Sequence, residues 1–183
     1  MVRLFVAVDL PEEIREQFRD VQEELRRSRA RLTLVGTESM HITLKFIGEV
    51  SGSQVPQITA ALSQVKDDIF SLNVGIITAN NQRAPRVVWA ETDDPGDCRR
   101  LAGNIDNTLA SLGFEPEKRR FHPHITLARV KQFHPSLFEA LAGVATSCSG
   151  IIPVSAFVLK KSELTPEGPR YTDILSVPLG ERT

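Results

Sequence analysis

Cysteine is nearly absent. The 183 residues hold two, Cys98 and Cys148, and neither belongs to a CxxC or a Cys/His zinc spacing. That excludes a disulfide scaffold and predicts two buried free thiols in a reducing cytoplasm. Aromatic residues make up only 6%, with one Trp and one Tyr. No apolar run approaches the ~20 residues of a membrane-spanning helix. The apolar stretch Leu4–Val8 stops at Asp9, too short for a secretory signal, so a soluble, cytoplasmic protein is expected. An excess of positive charge is missing as well. Lys and Arg number 22 against 23 Asp and Glu, a net charge of -1 with His neutral. A protein that coats long nucleic acid needs a basic surface, so any such contact here must be local. No stretch rich in Pro, Gly or Ser divides the chain. What remains is an ordinary globular mixture, 41% hydrophobic and 25% charged, at a length that fits a single domain with its own core.

Residues 2–9 are β-branched and aromatic, which predicts a buried strand. Pro11 then opens a helix, where its missing N–H costs nothing. Ile14, Phe18, Val21 and Leu25 give that helix one apolar face. Glu12 and Glu13 at its start and Arg26, Arg27 and Arg29 at its end suit the helix dipole. A strand is predicted at 40–47, then a helix carrying Val55, Ile58, Leu62 and Val65. Strands are predicted at 69–79 and 86–92 around the turn-like Asn80-Asn81-Gln82. The second half repeats this grammar. Leu101, Ile105, Leu109 and Leu112 mark a helix closed by Gly113. A strand at 122–130 and a short helix at 136–145 come next. Strands at 153–164 and 170–178 flank a turn containing Pro166, Gly168 and Pro169. Helices and strands do not simply alternate, so an α+β fold with antiparallel sheet is favoured over a doubly wound parallel one.

The tetrapeptide His-Ile-Thr-Leu occurs twice, at 41–44 and 124–127. Pair counting gives a chance expectation of roughly 0.1–0.2 for some repeated tetrapeptide in such a chain, so repetition alone is only suggestive. Its composition strengthens it, because each copy sits in a predicted strand and uses one of only four histidines. Alternate strand residues share a face. His41 and Thr43 therefore point one way, and Ile42, Leu44 and Phe46 point into the core. His124 and Thr126 likewise share a face opposite Ile125 and Leu127. Two such copies facing each other make a groove with two imidazoles and two hydroxyls.

Two imidazoles near their usual pKa of ~6.5 suit paired proton transfer, one taking a proton from water and one giving a proton to a leaving oxygen. The threonine hydroxyls can hydrogen-bond oxygens that gain charge at phosphorus. Such a set could open a strained cyclic phosphodiester without metal or cofactor. Ordinary polar decoration explains a single His-x-Thr, but not two in matched strands. A zinc site at His122 and His124 is a weaker reading, since no Asp, Glu or Cys lies beside either motif at ligand spacing. His122 then reads as a structural neighbour and His134 as a loop residue.

At these residues the chain resembles the 2H phosphoesterase superfamily. The strings Arg3–Pro11, His41–Glu49, His122–Arg129 and Ser162–Tyr171 look like its RNA 2',3'-cyclic phosphodiesterase branch, also called 2'-5' RNA ligase. The resemblance runs from Arg3 to about Leu179, with the two motifs 83 residues apart. It implies one domain over 1–183 with a bilobal α+β fold. Two antiparallel sheets with outer helices are related by pseudo-two-fold symmetry, and a catalytic groove lies between the lobes. It implies a monomer acting on RNA ends or oligonucleotides that carry a 2',3'-cyclic phosphate, leaving a 2'-phosphomonoester. His41 is by resemblance the proton donor and His124 the acceptor, while Thr43 and Thr126 bind phosphoryl oxygens. The reverse reaction, 2'-5' ligation, and a non-catalytic module that binds RNA ends are the alternatives. The family often carries a Trp before the first motif, where this chain reads Arg31-Leu32-Thr33-Leu34-Val35-Gly36.

Five cations lie near the second motif: Lys118, Arg119, Arg120, Arg129 and Lys131. They form a candidate phosphate rim in a chain with no net positive charge. Arg129 closes the motif and is the single best candidate for substrate binding. Strict alternation sets it opposite His124, so only a strand end or bulge brings it to the groove. Trp89 reads as core, and Tyr171 as either a base-stacking or a packing residue.

Overall fold

A computed structural model describes residues 1–166 and 168–180. Glu167, in the turn expected between the last two strands, lies outside the described residues. The helices form where the apolar stripes predict them. Helix α1 (Glu12–Arg26) buries Ile14, Phe18, Val21 and Leu25. Helix α2 (Val55–Leu62) buries Ile58 and Leu62. Helix α3 (Asp97–Ala110) buries Leu101, Ile105 and Leu109, and Gly113 turns the chain beyond it at φ +88°. Helix α4 (Ser136–Val144) buries Leu137, Leu141 and Val144.

The strands are β1 (Val2–Asp9), β2 (Arg31–Leu34), β3 (His41–Val50), β4 (Phe70–Ala79), β5 (Val87–Asp93), β6 (His124–Gln132), β7 (Ile151–Val154), β8 (Ala156–Thr165) and β9 (Gly168–Pro178). All their pairings are antiparallel. The order is β7-β4-β5-β6-β3-β1-β8-β9, with β2 also on β6. The two halves of this sheet, β7-β4-β5-β6 and β3-β1-β8-β9, meet at one residue pair, Ile42 with Ile125. The two predicted sheets are thus continuous through a single bridge. They are also interleaved: β5, which follows the first motif, pairs with β6 of the second motif, while β8, from the second half, pairs with β1.

The hydrophobic core lies on the helical side of this sheet. It takes Leu4, Val6 and Val8 from β1, Ile42 and Leu44 from β3, and Ile125 and Leu127 from β6. Phe5 and Ala7 are buried too but belong to the opposite face. Cys98 and Cys148 are both free and buried.

Alternation breaks at the same place in both motif strands. Against β1, Phe5 pairs with Phe46, Val6 with Lys45 and Ala7 with Thr43, so Leu44 is skipped. Against β5, Val88 pairs with Ala128 and Trp89 with Thr126, so Leu127 is skipped. Each motif therefore ends in a β-bulge, which turns two consecutive residues inward and reverses the facing of the residues that follow, until in β3 a second irregularity at Ile47 reverses it again. Lys45 and Ala128 are buried, and Phe46 and Arg129 are exposed. Strict alternation predicts Phe46 in the core, yet 68% of it is exposed. The buried Lys45 is satisfied by an ion pair with Asp106 on α3 and a 2.8 Å hydrogen bond to the Glu115 carbonyl.

Candidate active site

His41 opens β3 and His124 opens β6, and the two rings are anchored alike. His41 Nδ1 lies 2.7 Å from the Ser39 carbonyl, and His124 Nδ1 lies 2.8 Å from the His122 carbonyl. A carbonyl only accepts, so each Nδ1 carries its hydrogen and each Nε2 is left for chemistry. In the neutral ring His41 Nε2 accepts from the Thr43 hydroxyl at 3.1 Å. Stepping one residue to either side of the Ile42–Ile125 bridge sets His41 beside Thr126 and Thr43 beside His124, all on one face. The structure therefore brings together all four residues singled out in the two motifs, and all four are half-buried.

Burial is the main force on both rings and lowers both pKa values. For His41, the Ser39 carbonyl and Asp9 oppose that fall, while Lys160 and His124 add to it. For His124, the His122 carbonyl opposes it and the His122 ring adds to it. Asp9 and Lys160 belong to a cluster that sequence reasoning missed. Lys160 Nζ bridges Asp9 at 3.0 Å and Asp173 at 2.6 Å, and Asp9 is the cross-strand partner of His41. A carboxylate also stands opposite His124: Glu91, whose Oε1 lies 4.0 Å from His122 Nε2. The only sequence signals were a lysine directly after the apolar run Phe157–Leu159 and an aspartate ending β1.

Aromatic rings hold the histidines in place. Phe5 lies under the first motif, 4.9 Å from the His41 ring, 5.0 Å from Tyr171 and 6.3 Å from Phe46 between centroids. Tyr171 stands edge-on to His41 at 5.4 Å, so it packs against the site itself. Trp89, expected in the core, belongs to the groove face, because its partner in register is Thr126. Its ring sits 4.4 Å from that of His124. The Leu127 bulge brings Arg129 to this face, as its candidacy required. The positive charge of Arg129 acts on the Tyr171 hydroxyl, whose pKa burial otherwise raises. A cavity of about 870 Å³ opens beside His41, lined in part by Arg15, Glu38, Lys160, Arg170 and Tyr171. Among the described residues no group of three or more His, Cys, Asp or Glu is gathered to hold a metal ion, and no helix is long and apolar enough to cross a membrane.

A family model described as LigT like Phosphoesterase matches residues 8–89 and 92–171, one motif in each stretch. The chain belongs to the LigT-like phosphoesterase family. Among its relatives in that family is an Archaeoglobus fulgidus protein named RNA 2',3'-cyclic phosphodiesterase. It is 36% identical over 174 residues, covering 94% of this chain and 98% of the relative. A Methanothermobacter thermautotrophicus protein of the same name is 34% identical over 178 residues, covering 94% and 96%. The crystal structure of Escherichia coli LigT complexed with 3'-AMP aligns with a TM-score of 0.81 at 28% identity, covering 98% of this chain and 99% of that one.

Proposed function

We propose that the protein hydrolyses RNA 2',3'-cyclic phosphate ends to 2'-phosphomonoesters, with His41 and His124 as the paired acid and base. One observation carries this reading: two matched His-x-Thr pairs present both Nε2 atoms and both hydroxyls on one groove face. The names and coverage of the family relatives support the same substrate class.

In the proposed reaction a water oxygen attacks phosphorus in line with the P–O3' bond and loses its proton to His124 Nε2. The P–O3' bond breaks, and the departing O3' takes a proton from His41 Nε2. The phosphate stays on O2'. Thr43 and Thr126 donate to the non-bridging oxygens as charge builds there. The assignment of acid to His41 and base to His124 follows the resemblance of the motifs; Asp9 facing His41 favours its protonated form, and Lys160 beside it opposes that more strongly. The Glu91 carboxylate facing His124 is directed toward His122. Burial lowers both pKa values in the free protein, so the incoming phosphate anion supplies the charge that protonates His41. Each half of the chain contributes one histidine and one threonine, so the chain acts as a single functional unit. A reducing compartment, where both buried thiols stay free, suits it.

The test is single replacement. His41→Ala and His124→Ala each lose about 10²–10⁴-fold in rate on a 2',3'-cyclic-phosphate-ended oligonucleotide. Near-wild-type turnover by either variant overturns the proposal.

A further inference from the structure

The five cations near the second motif fall into two groups at opposite ends of the site. Lys118, Arg119 and Arg120 come just after Glu115, whose carbonyl is held by Lys45. Lys45 lies beyond His41 on β3, so this loop stands by the outgoing end of β3. Arg129 and Lys131 lie beyond Thr126 on the outgoing end of β6. The two strands are antiparallel through Ile42 and Ile125, so the outgoing end of β6 is the end where β3 begins, at His41. Strand β2 lies there too, paired with β6.

The register decides which side chains face the groove. Leu32, Leu34 and Val130 pack against the core, so alternation turns Arg31, Thr33, Arg129 and Lys131 the other way. Thr33 pairs with Arg129 and Arg31 with Gln132, and Lys131 sits at a second irregularity between them. At about 3.3 Å per residue, and with Leu127 bulged out, Arg129 and Lys131 stand about 7 and 13 Å beyond Thr126. All three cations are exposed. Among the described residues none of the three has a carboxylate partner, unlike Lys45, Arg100 and Lys160. The influence of Arg129 on Tyr171, whose ring is 5.4 Å from His41, ties this end to the first motif.

We infer that the β2–β6 end, through Arg31 and Lys131, binds the phosphates of the single-stranded RNA that leads into the cyclic end. The inference rests on the proposed reaction. In-line attack puts water on the His124 side, so O3' leaves toward His41. The ribose that bears O2' and O3', and the chain attached at its 5' oxygen, then lie at the His41 end. That is where Arg31, Arg129 and Lys131 stand without carboxylate partners, within one to two nucleotide steps of the reacting phosphorus. Lys118, Arg119 and Arg120 lie at the far end and take no upstream phosphate.

Equilibrium binding tests this without requiring turnover. The probes are a fluorescent hexanucleotide ending in a 2'-phosphate and the matching 2'-mononucleotide, each titrated between 50 and 200 mM salt. Arg31→Ala/Lys131→Ala is compared with Lys66→Ala/Arg99→Ala, which removes equal charge from exposed positions after α2 and on α3. Two lost phosphate contacts lower the log–log salt slope for the hexanucleotide by about 1.4, at ~0.7 each, and weaken its binding severalfold at 50 mM. Mononucleotide binding and the Lys66/Arg99 control stay near wild type. An unchanged slope, or an equal loss in the control, overturns the inference. Absence of turnover with the slope change intact would instead count against the proposed reaction alone.

Discussion

Replacing Lys45 by Met tests the bulge that ends the first motif. The lysine side chain is 8% exposed and its partner Asp106 17%. Lys45→Met removes the ion pair and the hydrogen bond to Glu115. Asp106 then faces an apolar side chain, and among the described residues only the Glu117 amide still donates to it, at 2.9 Å. Breaking a fully buried pair from one side costs about 3–5 kcal/mol. Asp106 keeps some contact with water, so the expected loss is about 3 kcal/mol, the low end of that range. In a chain of this length that lowers Tm by about 6–12 °C. Adding Asp106→Asn removes the stranded charge and should restore about 1 kcal/mol or more. Urea and thermal melts of the two variants supply the numbers. A Lys45→Met protein that melts within about 2 °C of wild type would refute the reasoning. So would a double variant less stable than the single one.

Three further perturbations probe the same geometry. Asp9→Asn removes a charge that favours protonated His41 and should move the alkaline limb of the kcat/KM profile to lower pH. Lys160→Met should move that limb to higher pH, and the acid limb set by His124 stays in place in both; shifts in the same direction would contradict the assignment. Both motif histidines have folded pKa values below 6.5, so the unfolded chain binds more protons and stability falls as pH drops from 6.5 toward the folded values. A His41→Gln/His124→Gln variant should show a shallower loss of Tm between pH 7.5 and 5.5, and an unchanged slope would oppose this. Gly48 holds φ +89° with open space around a would-be Cβ. Gly48→Ala should therefore cost about 1–2 kcal/mol from backbone strain alone, read by urea melts, and a neutral result would count against that.

The helices were legible because burial of one stripe repeats every three to four residues, and that pattern survives any tertiary arrangement. The paired motifs were legible because alternation holds through His41-Ile42-Thr43 and His124-Ile125-Thr126. It failed one residue later, where both strands bulge, and that one slip hid the exposure of Phe46 and left the reach of Arg129 conditional. Short β2 carried no strand signal of its own, since so short a strand is stabilised only by pairing with β6. Asp9, Lys160 and Asp173 come from three strands, and Phe5 and Trp89 look like core residues in a sequence. Only the register shows that they surround the histidines.

The most direct test of the central claim is the product formed in excess EDTA from an oligonucleotide with a 2',3'-cyclic phosphate end, monitored by ³¹P NMR. Acid and base supplied by His41 and His124 alone predict sustained turnover to a single 2'-phosphomonoester. A 3'-phosphate product, or turnover that stops on chelation and returns with added metal, would contradict it.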